Sequence, residues 1–133
     1  MPVYINQITT AVPSHKYLAE EISLFLANTA VTPTAQRKAR IVSSKSGIES
    51  RYSVLEDFRN NSDKTLFKTP VPSIESRLEQ YNFHSLPLAL DAINQLDGFR
   101  ASDITHIITV SCTGMSAPGL ELWLSRALKL NST

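Results

Sequence analysis

Cys112 is the only cysteine in this chain of 133 residues, and its setting is one that chemistry could use. The run Ile104 to Gly119, Ile-Thr-His-Ile-Ile-Thr-Val-Ser-Cys-Thr-Gly-Met-Ser-Ala-Pro-Gly, reads as a buried strand that stops in a small polar turn and then launches a helix. Open α/β folds place ligands just beyond the carboxyl end of a strand, at such junctions. A thiol there acts as a nucleophile if a neighbouring base lowers its pKa, or else it lines a pocket. None of the three histidines, His15, His84 and His106, has a spacing that implies contact with it. The residues alone leave both roles open and favour the pocket-lining one, and His106, inside the strand, reads as a core or sheet-face histidine.

The hydroxyls of Ser111, Thr113 and Ser116 raise the possibility of a serine nucleophile. A hydrolase elbow needs Gly-x-Ser-x-Gly, and Gly114-Met-Ser-Ala-Pro lacks the second glycine. No Gly-rich phosphate loop, zinc-ligand spacing or catalytic carboxylate pair is present.

A second candidate is electrostatic. Arg37, Lys38, Arg40 and Lys45 lie close together, and no acidic residue occurs between Glu21 and Glu49. In a chain whose formal net charge is only +1, this is a local positive field suited to phosphates. The alternative is a solvated helix face.

The elements that must position these residues follow from periodicity and breakers. Val3 to Val12 alternates and is rich in β-branched residues, which predicts a strand. Ser14 is a suitable N-cap for a helix from about His15 to Asn28, with Leu18, Ile22, Phe25 and Leu26 on its apolar side. Thr32-Pro33 predicts a second helix start, running to about Ser43. Ile48 to Leu55 reads as a short strand, and Asp57 to Pro72 as a polar loop or lid outside the core. A long helix is expected from Ser73, although Ser76 with Glu79 offers a competing cap, and Pro87 should kink or split it before Asp97-Gly98. The strand Ile104 to Val110, the turn and a helix from about Leu120 to Leu130 complete the pattern. In that last helix Trp123, with Leu120, Leu124 and Leu128, reads as core. The fold class is α/β and layered. Three strands are few for such a sheet, so it looks incomplete.

Composition narrows the function classes. Thirteen basic and twelve acidic side chains argue against a nucleic-acid binder. A lone cysteine cannot form an internal disulfide, the N-terminus has no signal-peptide pattern, and no apolar run is long enough to span a membrane. A soluble, cytoplasmic protein is the simplest expectation.

The turn Val110-Ser-Cys-Thr-Gly-Met-Ser-Ala-Pro-Gly-Leu120 resembles the pocket segment of bacterial type III polyketide synthases, the chalcone and stilbene synthase family of the thiolase superfamily. Ile104-Thr-His-Ile-Ile108 fits the strand before it. Lys45-Ser-Gly-Ile-Glu-Ser-Arg-Tyr52 resembles the family's Lys-Ser-x-Ile-x-x-Arg-Tyr segment, and Leu86-Pro-Leu-Ala-Leu-x-Ala92 resembles the intervening long helix. The matches run in order along the whole chain, so residues 1–133 are expected to form the N-terminal portion of a thiolase-like αβαβα domain.

The resemblance implies an acyltransferase similar to naringenin-chalcone synthase, which condenses an acyl-CoA starter with malonyl-CoA by decarboxylative Claisen chemistry. It implies a homodimer, and coenzyme A thioesters as substrates with no further cofactor or metal. Coenzyme A phosphates would be held by Lys38 and Lys45; a third basic position falls on Ile41, with Arg40 beside it. The pocket-lining pair falls on Cys112 and Thr113, with Gly114 next to them. The residue that reaches across the dimer falls on Ala117, where plant members often carry methionine; Met115 substitutes for it only if the loop shifts. The family's nucleophilic cysteine, histidine and asparagine are expected beyond Thr133, so Cys112 is not the nucleophile and the chain alone should be inactive. Two other readings stay open: a different thiolase-type condensing enzyme such as a ketoacyl synthase III, and a non-catalytic module that binds coenzyme A or a protein partner.

Overall fold

The computed structural model describes residues 2–59, 63–68 and 71–130. In chain order these form strand β1 (His15–Leu18), helices α1 (Ala19–Thr29) and α2 (Pro33–Lys45), strand β2 (Ser50–Ser53), helix α3 (Ile74–Ile93), a single 3-10 turn at Ala101–Asp103, and helix α4 (Leu120–Ala127). Contacts divide the chain into two compact units, Val12–Pro72 and the pair Met1–Ala11 with Ser73–Thr133.

The Val12–Pro72 unit is built on a two-stranded antiparallel sheet in which Tyr17 faces Arg51 and Leu18 faces Ser50. His15–Leu18 is thus a strand and not the first turn of α1, because its alternation places Tyr17 inward at 1% exposure. The helix starts four residues later than Ser14 suggested, where the Leu18 N–H donates to the Glu21 carboxylate at 2.7 Å. α2 begins as expected, with the Thr32 hydroxyl accepting from Ala35 N–H at 3.2 Å and Pro33 in the first turn, and continues to Lys45. β2 covers only the middle of the expected Ile48 to Leu55 strand, because β1 offers four partners.

The segment after β2 contributes to the core of this unit, contrary to its polar composition. Phe58 and Phe67 close around Phe25, with ring centroids 5.1 and 5.4 Å from it in edge-to-face geometry, and Tyr17 meets Phe58 at 5.3 Å. Asp57 organises the turn that allows this. It is fully buried, and its carboxylate accepts the backbone N–H groups of Thr65, Leu66 and Phe67 at 2.8, 2.6 and 2.8 Å. Burial alone would push the Asp57 carboxyl up, but these donors outweigh it and hold the group below its ordinary 3.8. The Tyr17 hydroxyl donates to the Leu55 carbonyl at 2.9 Å and is held above 10.0, chiefly by burial.

In the second unit α3 is capped by Ser73, whose hydroxyl accepts Ser76 N–H at 3.2 Å, so the competing start at Ser76 is not used. The helix is continuous through Pro87 and is not split there. Proline here removes only the N–H that would reach the carbonyl of Phe83, a residue on the exposed face where water can take its place. α3 closes at Ile93, before Asp97-Gly98.

The two strands expected in this unit do not form among the described residues. Residues 3–12 have no regular secondary structure and are held by side chains: Gln7 exchanges hydrogen bonds with the backbone of Asp97 at 2.7 and 2.9 Å, and the Thr9 hydroxyl donates to the Ala92 carbonyl at 2.7 Å. The segment 104–110 also has no ladder, and Ile108 and Val110 are 88% and 92% exposed. A strand exists only against a partner, and the apolar pattern records a pairing that these residues alone do not supply. His106 is therefore exposed and not a core histidine; its Nδ1 lies 3.0 Å from the Thr105 hydroxyl. α4 ends at Ala127, short of Leu130, and buries Leu124, while Trp123 remains 45% exposed beside the Arg126 guanidinium.

Candidate functional site

The two groups of candidate residues fall in different units. In the second unit, the turn after residue 110 is shaped locally: the Ser111 hydroxyl donates to the Thr113 carbonyl at 2.5 Å and accepts the Thr113 N–H at 3.2 Å. Gly114 then adopts φ +85°, a left-handed conformation that favours glycine. A Cβ there would sit 2.0 Å from Cε1 of Tyr81 on α3, so glycine is needed for approach as well as for conformation. Two residues on, the Ser116 hydroxyl donates to Asn82 Oδ1 at 2.7 Å. The Ala117–Pro118 peptide is cis.

The turn, α3 and α4 enclose a recess of about 380 Å³ lined by Tyr81, Asn82, Ser116, Ala117, Leu120 and Trp123. Ala117 thus lines a wall within its own unit. Cys112 and Thr113 are exposed. Among the described residues no hydrogen bond or ion pair reaches the Cys112 thiol. Glu121 completes the local frame, accepting from the Thr109 hydroxyl at 3.1 Å and folding back over Gly119.

In the Val12–Pro72 unit, Arg37, Lys38, Arg40 and Lys45 are all exposed on or at the end of α2. Helical geometry divides them. Lys38 and Lys45 are seven residues apart and fall about 20° from each other around the axis, whereas Arg40 lies about 160° from Lys38. Lys38 and Lys45 form one cationic stripe, and Arg40 is on another face. The half-buried positions Ala39 and Ser43 separate the two on the side that meets α1. A recess of about 550 Å³ opens beside them, lined by Ile22, Leu26, Val42, Ile48, Phe58 and Phe67.

Sequence reasoning missed Tyr81, Asn82 and Glu121, which hold the turn. Gly114 carried a hint, since a glycine in a polar turn implies positive φ or close approach, but nothing in the sequence says which residue approaches. Among the described residues no group of three histidine, cysteine or carboxylate side chains could hold a metal ion.

With this geometry in hand, comparisons with known proteins identify the chain. The family profile of the chalcone and stilbene synthases, N-terminal domain, matches residues 2–133. Among solved structures, the chain is similar to a fungal type III polyketide synthase, ORAS, at 20% identity and TM-score 0.79, covering 96% of this chain and 34% of that one. PKS-I from the brown alga Ectocarpus siliculosus matches at 23% identity and TM-score 0.76, over 93% of this chain and 35% of that one. The 1,3,6,8-tetrahydroxynaphthalene synthase of Streptomyces coelicolor A3(2), a bacterial type III polyketide synthase, matches at 25% identity and TM-score 0.75, over 94% and 34%. The first two likenesses concern the fold, and the three sources do not narrow the chain to a bacterial type. A search of curated proteins returns no match. The chain spans about a third of the length of these structures, and its two-stranded sheet is an incomplete part of their thiolase-like fold. By its match over residues 2–133, the chain belongs to the chalcone and stilbene synthase family, of which it carries the N-terminal domain.

Proposed function

We propose that residues 1–133 are the N-terminal portion of a type III polyketide synthase domain that condenses an acyl-CoA starter with malonyl-CoA. The family match over residues 2–133 is the observation that carries this reading. In it, Lys38 and Lys45 hold coenzyme A phosphates as a pair of point charges, and Arg40 contributes at longer range from another face of α2. Cys112, Thr113, Gly114 and Ala117 supply one wall of the pocket in which the polyketide grows. The exposure of the Cys112 thiol at the turn supports a lining role. The condensing nucleophile and the groups that stabilise the enolate and oxyanion are then outside these residues, and the chain by itself does not turn over.

The reaction needs decarboxylation of a malonyl thioester, attack of the resulting enolate on an acyl thioester, and release of a thiol. Donors aimed at the developing oxyanions would carry most of that catalysis. Coenzyme A thioesters are the substrates in this reading, with no separate cofactor, and a homodimer is the assembly. No described helix is long and apolar enough to cross a membrane, and a cytoplasmic location fits the substrates.

Titration of the chain with coenzyme A tests the phosphate role. Lys38→Ala combined with Lys45→Ala is expected to weaken binding more than Arg40→Ala does, with a dependence on salt. Equal affinity in all variants would count against it.

A further inference from the structure

The recess of about 550 Å³ in the Val12–Pro72 unit takes no part in the function proposed for α2 or for the turn after residue 110. Its volume is within the range of about 300–1,000 Å³ that small-molecule sites occupy. The wall is apolar, and Leu26, Ile48 and Phe67 in it are 40%, 40% and 48% exposed, so a ligand can reach it. Arg51 is the one charged lining residue among the described ones, and no carboxylate lines the recess. Strand pairing puts Arg51 there. It stands opposite Tyr17, and directly opposed residues share a face of the sheet. Tyr17 is buried on that face, whereas the longer Arg51 side chain remains exposed. Among the described residues no hydrogen bond or ion pair engages the Arg51 guanidinium.

We propose that this recess binds a fatty-acid carboxylate, with Arg51 on the head group and the apolar wall around the tail. A guanidinium without a carboxylate partner, at the edge of an apolar wall, is complementary to an anion with an apolar body. Its planar fork matches a carboxylate through two parallel hydrogen bonds. The last turn of α2 supplies Ser43 and Ser46 to the same recess and carries the negative end of the helix dipole. The anionic head is therefore seated at Arg51 and away from that turn, with the tail against Leu26, Ile48 and Phe67.

Titration of the chain with dodecanoate, followed by NMR of the backbone amides, tests this. Shifts are expected at Leu26, Ser43, Ser46 and Ile48. Arg51→Gln should weaken binding about tenfold or more, because a charge-assisted pair is lost. Arg51→Lys, which keeps the charge but not the fork, should weaken it less. From octanoate to decanoate, affinity should rise about fourfold per added methylene. Val42→Trp, at an exposed position on the rim, should weaken binding by narrowing the mouth while Arg51 stays intact. Lys38→Ala combined with Lys45→Ala should leave dodecanoate binding nearly unchanged, so this site and the coenzyme A role fail separately.

Equal affinity in Arg51→Gln and the parent, or equal binding of dodecylammonium, would overturn the proposal. So would shifts confined to residues 104–110, where the exposed Ile108 and Val110 offer a competing apolar surface. In the synthase carrying this segment, the same Arg51-dependent binding is expected. Its absence there would mean that polypeptide covers the recess, and would overturn the proposal as well.

Discussion

The unit Val12–Pro72 closes on itself, whereas the segment from Ile104 to Ala127 does not. In the first, an antiparallel strand pair, two helices and a loop bury Tyr17, Ile22 and Phe25, and an aspartate satisfies three backbone N–H groups. In the second, an apolar run with the composition of a central strand is left without a ladder, and its Ile108 and Val110 side chains face solvent. The difference lies in where each element's partners are. The partners of β1 and of the Asp57 loop lie within the same unit, whereas a central strand of a layered sheet needs neighbours from elsewhere in the fold.

The comparison can be broken most severely at Phe25, which joins Phe58 and Phe67 in one cluster. Phe25→Ala should cost about 3–5 kcal/mol, enough to unfold that unit, read by urea denaturation. A loss below about 1 kcal/mol would mean that the cluster is not a core in the sense of interior packing.

Asp57→Ala should follow at about 3 kcal/mol, because three N–H groups lose a charged acceptor. The same group gives this unit an acid limit. Its folded pKa lies below the ordinary 3.8, so the contribution is present above about pH 4 and is lost as pH falls through the lowered value. A stability profile of Asp57→Asn that still falls with acid as steeply as the parent would show that another group is responsible.

Smaller effects sharpen the contrast. Gly114→Ala should cost about 1–3 kcal/mol and displace the turn from Tyr81, since the added Cβ meets both left-handed strain and the ring. Its loss should be confined to the unit that contains α3, visible by hydrogen exchange. Thr32→Ala should cost about 1 kcal/mol in the unit of α2, through the lost N-cap, as measured by thermal melting.

The same contrast explains what was legible in the sequence. Two caps were readable because they depend on neighbours a few residues away: Ser73, and Thr32 followed by Pro33, start their helices as their types require, whereas Ser14 does not cap α1. The basic run was readable as charge, but its division into a Lys38–Lys45 stripe and a separate Arg40 needed the helix to be placed. His15–Leu18 misled because its partner is 35 residues later, and an isolated four-residue strand has too little pattern to outweigh the helix that follows. Phe58 and Phe67 were hidden in a polar segment whose organiser, Asp57, bonds residues eight to ten positions away. Of the turn after residue 110, candidate lining residues could be named from family resemblance. The holds from Tyr81 and Asn82 could not, because they cross more than thirty residues of sequence.

The proposed function gives these residues a substrate-holding role and leaves Cys112 without a catalytic one. Incubating the chain with malonyl-CoA and following release of carbon dioxide tests this directly. No turnover is expected, with Cys112 present or replaced by alanine. Decarboxylation that is abolished by Cys112→Ala would contradict it.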